Sequence, residues 1–277
     1  MSQATINRIS TVTHVHRTST AMNRIASFTY GSLSYLLFLV TFLYAIAFLG
    51  NFGPARTIDG EVTEPFGKAL LINLLLLGLF AVQHSVMARP GFKRWWTRFV
   101  PRPVERSTYV LLSSLALLLL FHAWQPMGGV IWDVHNPIVR GTLYSLFAGG
   151  WLLVLYATFL INHFDLFGMR QVWLHLQGRP YTPLEFATPG PYRYVRHPLY
   201  VGWLLAFWAT PIMTAAHLVF AVATTAYILI AIRFEERDLA DAYGPDYERY
   251  RRQVPMLVPG LRPYATDEVR TGPARVS

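Results

Sequence analysis

The chain has 277 residues, of which 53% are hydrophobic and only 14% charged, with a net charge of +9. A soluble domain of this length needs more charge for its surface, so the composition points to a membrane protein. Its cations sit in short stretches between apolar runs, the pattern of membrane topology rather than of a nucleic-acid partner. The absence of cysteine excludes disulfides, thiolate metal sites and a cysteine nucleophile.

Residues 1–26 form a polar tail rich in Ser, Thr and Arg. It does not look like a cleaved signal peptide, whose apolar region would be shorter and nearer the start; an organelle transit peptide is an alternative to the expected disordered tail. The membrane domain is expected over 27–259, with a further tail at 260–277. Four apolar runs, Ser27–Leu49, Lys68–Met87, Thr108–Trp124 and Arg140–Asn162, are long enough to cross the hydrocarbon layer. A fifth, Leu199–Ile232, is too long for one straight helix and short for two. Pro211 near its middle suggests a tight helical hairpin, with one kinked helix as the alternative.

Charge favours the hairpin. The connection Asn51–Gly67 has Arg56 against Asp59, Glu61 and Glu64, whereas residues 88–107 carry Arg89, Lys93, Arg94, Arg98, Arg102 and Arg106 against Glu105 alone. The third connection has only Asp133, the fourth is again arginine-rich, and so is the C-terminal region. Positive segments alternate with neutral or acidic ones only if Leu199–Ile232 crosses twice. The expectation is therefore an all-α polytopic bundle of about six transmembrane helices, both termini cytoplasmic, in a bilayer such as a bacterial inner membrane.

Two polar clusters then meet at one face. Pro198 suits the first position of a helix, because its missing N–H would be unsatisfied there anyway. Arg196 and His197 precede it, and Tyr200 and Gly202 follow within the first turns. A helix start with added cationic groups can hold a carboxylate or phosphate, and Gly202 allows close approach. A basic interfacial anchor is the plainer reading. At the other end of the hairpin stand Glu235 and Glu236, with Tyr227 and Glu235 on one helical face. Simple pairing with Arg233 or Arg237 is the alternative to a role in ligand binding.

"RHPLYVG" (Arg196–Gly202), about thirty apolar residues and then "EERDL" (Glu235–Leu239) resemble the C-terminal half of the isoprenylcysteine carboxyl methyltransferase superfamily. Those integral-membrane enzymes use S-adenosyl-L-methionine without a dinucleotide-type fold, and this chain has no G-x-G-x-x-G after a strand. The resemblance implies a cofactor site of Tyr192, Arg196, His197, Pro198, Leu199, Tyr200, Gly202, Glu235 and Glu236. "LINHFDLFGMRQVW" (Leu160–Trp173) and "VQHSVMARPGFKRWW" (Val82–Trp96) are similar to the branch that methylates methanethiol.

On that resemblance, His84, His163 and Asp165 are candidate catalytic groups, and Gln83, Ser85, Asn162, Arg170 and Gln171 line the substrate. An ionisable side chain within a span suggests function by default, although a structural hydrogen bond is an alternative for His84, and helix termination for His163 and Asp165. No histidine has an i, i+4 partner, so a metal is not expected. The expected reaction is displacement at a sulfonium methyl by a small thiol, the partners being the lipid bilayer and that thiol. Oligomeric state is not legible. Competing readings are methylation of isoprenylcysteine or another lipid, a reductase using NADPH, and a transporter or scaffold.

Overall fold

The computed structural model describes the backbone of residues 3–53 and 56–260 and the side chains of 21–53 and 56–260. The tail 260–277, beyond Gly260, lies outside the described residues, as do most side chains of the tail 1–26. Among the described residues five helices are long and apolar enough to cross a membrane: α1 (Gln3–Gly50, apolar from Ala21), α2 (Phe66–Ala88), α4 (Arg102–Ala123), α5 (Pro137–Leu160) and α9 (Ala215–Tyr243). Short helices α3 (Pro90–Trp96), α6 (His163–Leu166) and α7 (Met169–Leu176) lie in the connections, and α10 (Pro245–Gln253) follows α9. The protein is a multi-pass helical membrane bundle.

The last apolar region is two helices, which decides between hairpin and kink. Its first leg, α8 (Pro198–Trp208), has only 11 residues, about 16 Å at 1.5 Å per residue and half the hydrocarbon thickness. Residues 209–214 turn the chain back: Thr210 N donates to Trp208 O, Pro211 sits at a bend, and His217 Nε2 lies 2.9 Å from Phe207 O, so the start of α9 stands beside the end of α8. The expected sixth helix is thus a short helix of about half the hydrocarbon thickness that turns directly into α9.

Extended backbone at that depth must be shielded by protein. Ala209, Thr210 and Pro211 are buried. Trp132 Nε1 donates to Thr210 O at 3.1 Å, and β2 (Ile212–Thr214) pairs antiparallel with β1 (Val130–Asp133). This two-stranded patch was not anticipated from sequence. Thr214 caps α9 by accepting from His217 N and donates to Asp59, whose carboxylate also accepts from Asn51 Nδ2 at 2.8 Å. Connections 51–65, 124–136 and 209–214 thereby gather at one end of the bundle. Connections 89–101 and 161–197 and the region after Glu235 gather at the other.

α5 packs most extensively against α8. A Cβ built on Gly202 would stand 2.7 Å from Gly150 O and 2.9 Å from Val154 N; one on Gly150 would stand 2.7 Å from Gly202 O. The two helices therefore touch backbone to backbone, as small residues permit in membranes. The close approach expected at Gly202 is made by α5, and a cofactor has no room there.

Candidate active site

Pro198 occupies the first position of α8, with His197 at its N-cap. α9 returns antiparallel and brings its polar end alongside. Tyr200 OH donates to Glu235 Oε2 at 2.9 Å, Arg196 Nε to Glu236 Oε1 at 2.7 Å, and His197 Nε2 lies 3.0 Å from the same oxygen. The two neighbouring carboxylates differ in what remains open: the Glu236 side chain is 13% exposed and ion-paired, whereas Glu235 is 44% exposed. Glu235 is the carboxylate available to a ligand.

Arg196 has several acceptors inside the chain. Besides Glu236 it donates to the carbonyls of Arg251 and Val254. Its backbone N–H donates to Pro255 O, and the N–H of His197 to Met256 O. Tyr250 OH closes the same seam by donating to Tyr192 O at 2.6 Å. Arg196 thus ties the segment before α8 to the segment after α10, and does not offer its charge to a ligand as the sequence suggests. Pro198 is buried and Leu199 packs into the apolar core. Tyr192 stands by Glu235: burial, and then that charge, push its phenol above the ordinary tyrosine range.

A second polar group lies deeper, between α2, α4 and α9. Tyr109 OH is 2.8 Å from His84 Nε2, and Ser113 Oγ is 3.2 Å from His84 Nδ1. Phe80 stacks on the imidazole with ring centroids 5.1 Å apart. Gln83 Nε2 donates to Ser113 Oγ at 3.3 Å, leaving its buried Oε1 without a partner. Ser85 Oγ and Tyr227 OH are 3.2 Å apart, which joins α2 to α9. Tyr227 and Tyr109 both act electrostatically on Tyr200, and Tyr227 on Tyr109. The hydrogen-bonded pairs Glu235–Tyr200, Ser85–Tyr227 and Tyr109–His84 thus form a series from the mouth of α8 and α9 inward. Tyr109 and Ser113 escaped the sequence reading; their signal is the i, i+4 spacing of two hydroxyls inside an apolar helix.

His163 and Asp165 do not orient one another. His163 Nε2 meets Tyr35 OH at 2.8 Å and Nδ1 meets Thr158 Oγ1 at 2.9 Å, with Phe159 stacked on its face. Asp165 pairs with Arg170 at 2.8 Å and accepts from Tyr181 OH at 3.3 Å. Asn162, at φ 87°, caps α6 by accepting from Asp165 N, and Gln171 Nε2 donates to Asp165 O. This is a locked corner between α5 and α7, and among the described residues no hydrogen bond or ion pair joins it directly to His84 or Glu235.

Burial holds the His163 pKa below the ordinary histidine value. The unfolded chain therefore binds its proton more readily, and stability is lost as pH falls below about 6.5. Thermal unfolding between pH 7 and pH 5 should show this loss, and His163→Gln should flatten that part of the profile. An unchanged slope would remove His163 as its cause.

The phospholipid methyltransferase family model matches residues 141–246, from α5 through the start of α10. Methanethiol S-methyltransferase of Crocosphaera subtropica is 59% identical over 230 residues, covering 83% of this chain and 90% of its own. The protein of the same name from Mycobacterium tuberculosis is 58% identical over 238 residues, covering 86% and 98%. Nurim of Rattus norvegicus is 31% identical over 183 residues, covering 62% and 68%. No solved structure matches. With identities this high over most of both chains, the chain belongs to the methanethiol S-methyltransferase family.

Proposed function

We propose that the protein transfers a methyl group from S-adenosyl-L-methionine to methanethiol, giving dimethyl sulfide. The observation that carries this reading is the run of polar groups from the open Glu235–Tyr200 pair to His84, enclosed by α2, α4, α8 and α9. The thiol is the one for which the relatives from Crocosphaera subtropica and Mycobacterium tuberculosis are named.

The residues suit such a donor. Glu235 is a half-open carboxylate with a fixed hydrogen bond to Tyr200, suited to an amine or a ribose hydroxyl. Tyr247 OH is buried without a partner, within electrostatic reach of Glu236 and Arg196. When bound, the donor supplies a sulfonium methyl, which the thiol sulfur takes as the old carbon–sulfur bond breaks toward the donor's sulfur.

A thiolate is the better nucleophile, and a simple thiol is mostly protonated near neutral pH. His84 takes the thiol proton by relay through the hydroxyl on one ring nitrogen, Tyr109 at Nε2 or Ser113 at Nδ1, which passes its own proton to the ring as it takes the thiol's, while the other hydroxyl fixes the ring and its tautomer. Phe80 keeps the imidazole in apolar surroundings, where a transition state that neutralises opposite charges is favoured over separated ions in water. The arginine-rich connections support a cytoplasmic position for this end of the bundle, and with it a bacterial inner membrane as the chain's setting.

The test is direct. Purified protein receives S-adenosyl-L-methionine and methanethiol while dimethyl sulfide is followed in the headspace. Product is expected; donor binding without product would overturn the thiol assignment and favour a lipid-like acceptor, as the description of the matched family model suggests.

A further inference from the structure

We propose that Arg106, supported by Lys93, holds the carboxylate of the methyl donor's amino-acid portion. This deepens the reading above and rests on it. A zwitterionic head needs a cation as well as Glu235. The cation suggested by sequence, Arg196, is engaged by Glu236 and two backbone carbonyls. Arg170 is likewise engaged by Asp165 and Thr182.

Arg106 lies on the face of α4 that builds the His84 chamber. Arg106, Tyr109 and Ser113 follow at i, i+3 and i+7, so they form one stripe. Two of the three contact His84. Arg106 continues the stripe one turn toward the Glu235 end of the bundle. It interacts electrostatically both with Tyr109, which contacts His84, and with Tyr181, which donates to Asp165. It is half-buried, and among the described residues no carboxylate stands within 4.0 Å of it.

Lys93 of α3 is half-buried too and lies within electrostatic reach of Arg106. The other charges facing the pair are Arg89, Glu105 and Asp238, of which Arg89 and Asp238 bind each other at 3.1 Å. That leaves Arg106 and Lys93 against Glu105, a net positive mouth. Arginine suits this role because its planar fork binds both carboxylate oxygens. Arg106 and Glu235 then hold opposite charges of one ligand from two walls, α4 and α9, and the methyl group is presented toward His84.

Two ligands separate this from a structural role. S-adenosylhomocysteine carries the amino-acid head; 5′-methylthioadenosine lacks it and keeps the nucleoside. Wild-type protein should prefer S-adenosylhomocysteine. In Arg106→Gln its affinity should fall about 10- to 100-fold, the range for a hydrogen bond to a charged group, with 5′-methylthioadenosine unchanged. Arg106→Lys, which keeps the charge but loses the fork, should fall less and guards against misfolding of the first variant. Equal loss of both ligands, or of neither, would overturn the assignment while leaving the donor in place. If wild-type protein binds neither, the donor reading itself fails, and this inference with it.

Discussion

Gly202→Leu should leave almost no folded protein, and Gly202→Ala should already lower thermal stability. The reason is geometric. Any Cβ at Gly202 meets Gly150 O and Val154 N within 2.9 Å, and backbone atoms of a packed helix cannot swing aside as a side chain does. Overpacking of this kind costs about 1–3 kcal/mol, and more where the backbone must move. Gly150→Ala should cost a similar amount, since its Cβ would meet Gly202 O and Ala206 N. The two costs should not add, because the first substitution separates α5 from α8 and makes room for the second. Unfolding curves of both single variants and the double variant check this. Full additivity would mean that the two glycines are not opposite one another.

Glu236→Ala should destabilise the site end of the bundle and abolish most activity. Glu236 accepts from Arg196 and lies against His197, and all three side chains are largely shielded from water. Removing one partner of such a pair leaves the other charge buried and alone, at about 3–5 kcal/mol. Arg196 also carries the seam to the carbonyls of Arg251 and Val254, so the damage spreads to the segment packed beneath α10. Proteolysis near residues 180–195 should accelerate in this variant. Glu235→Ala should leave proteolysis and unfolding nearly unchanged, because Glu235 is half-exposed and, among the described residues, is held by one hydrogen bond from Tyr200, with His197 Nδ1 farther off at 3.9 Å. Equal sensitivity of the two variants would deny the division of labour between these adjacent carboxylates.

Much of the fold is legible because the bilayer imposes it: hydropathy locates the long helices, and alternating loop charge requires Leu199–Ile232 to turn back. The shape of that turn is not legible. α8 stops at Trp208 and the chain turns back through residues 209–214, of which Ile212–Thr214 are held by a pairing with Val130–Asp133, some eighty residues away. A tripeptide strand carries no period of its own, so only the partner reveals it.

The site divides similarly. Arg196, His197, Tyr200, Glu235 and Glu236 do converge, as the spacing around the hairpin suggests. Whether opposite charges serve a ligand or each other depends on contacts forty residues apart in sequence, and here Arg196 and Glu236 serve each other. His84 and His163 look alike in sequence, each beside polar neighbours at a helix end. Both rings have both nitrogens engaged, and packing separates them by place: His163 sits in a corner of its own, while His84 lies with Tyr109 and Ser113 at the inner end of the polar series that begins at Glu235.

The most direct test of this two-ended site is steady-state dimethyl sulfide formation by Glu235→Gln and His84→Ala side by side. Glu235→Gln should raise the donor KM about tenfold or more and change kcat little, as expected for a group that binds the donor alike in ground and transition states. His84→Ala should lower kcat about 10²- to 10⁴-fold with the donor KM nearly constant, the range for loss of a general base. The reverse pattern, or an unchanged kcat in His84→Ala, would contradict the account.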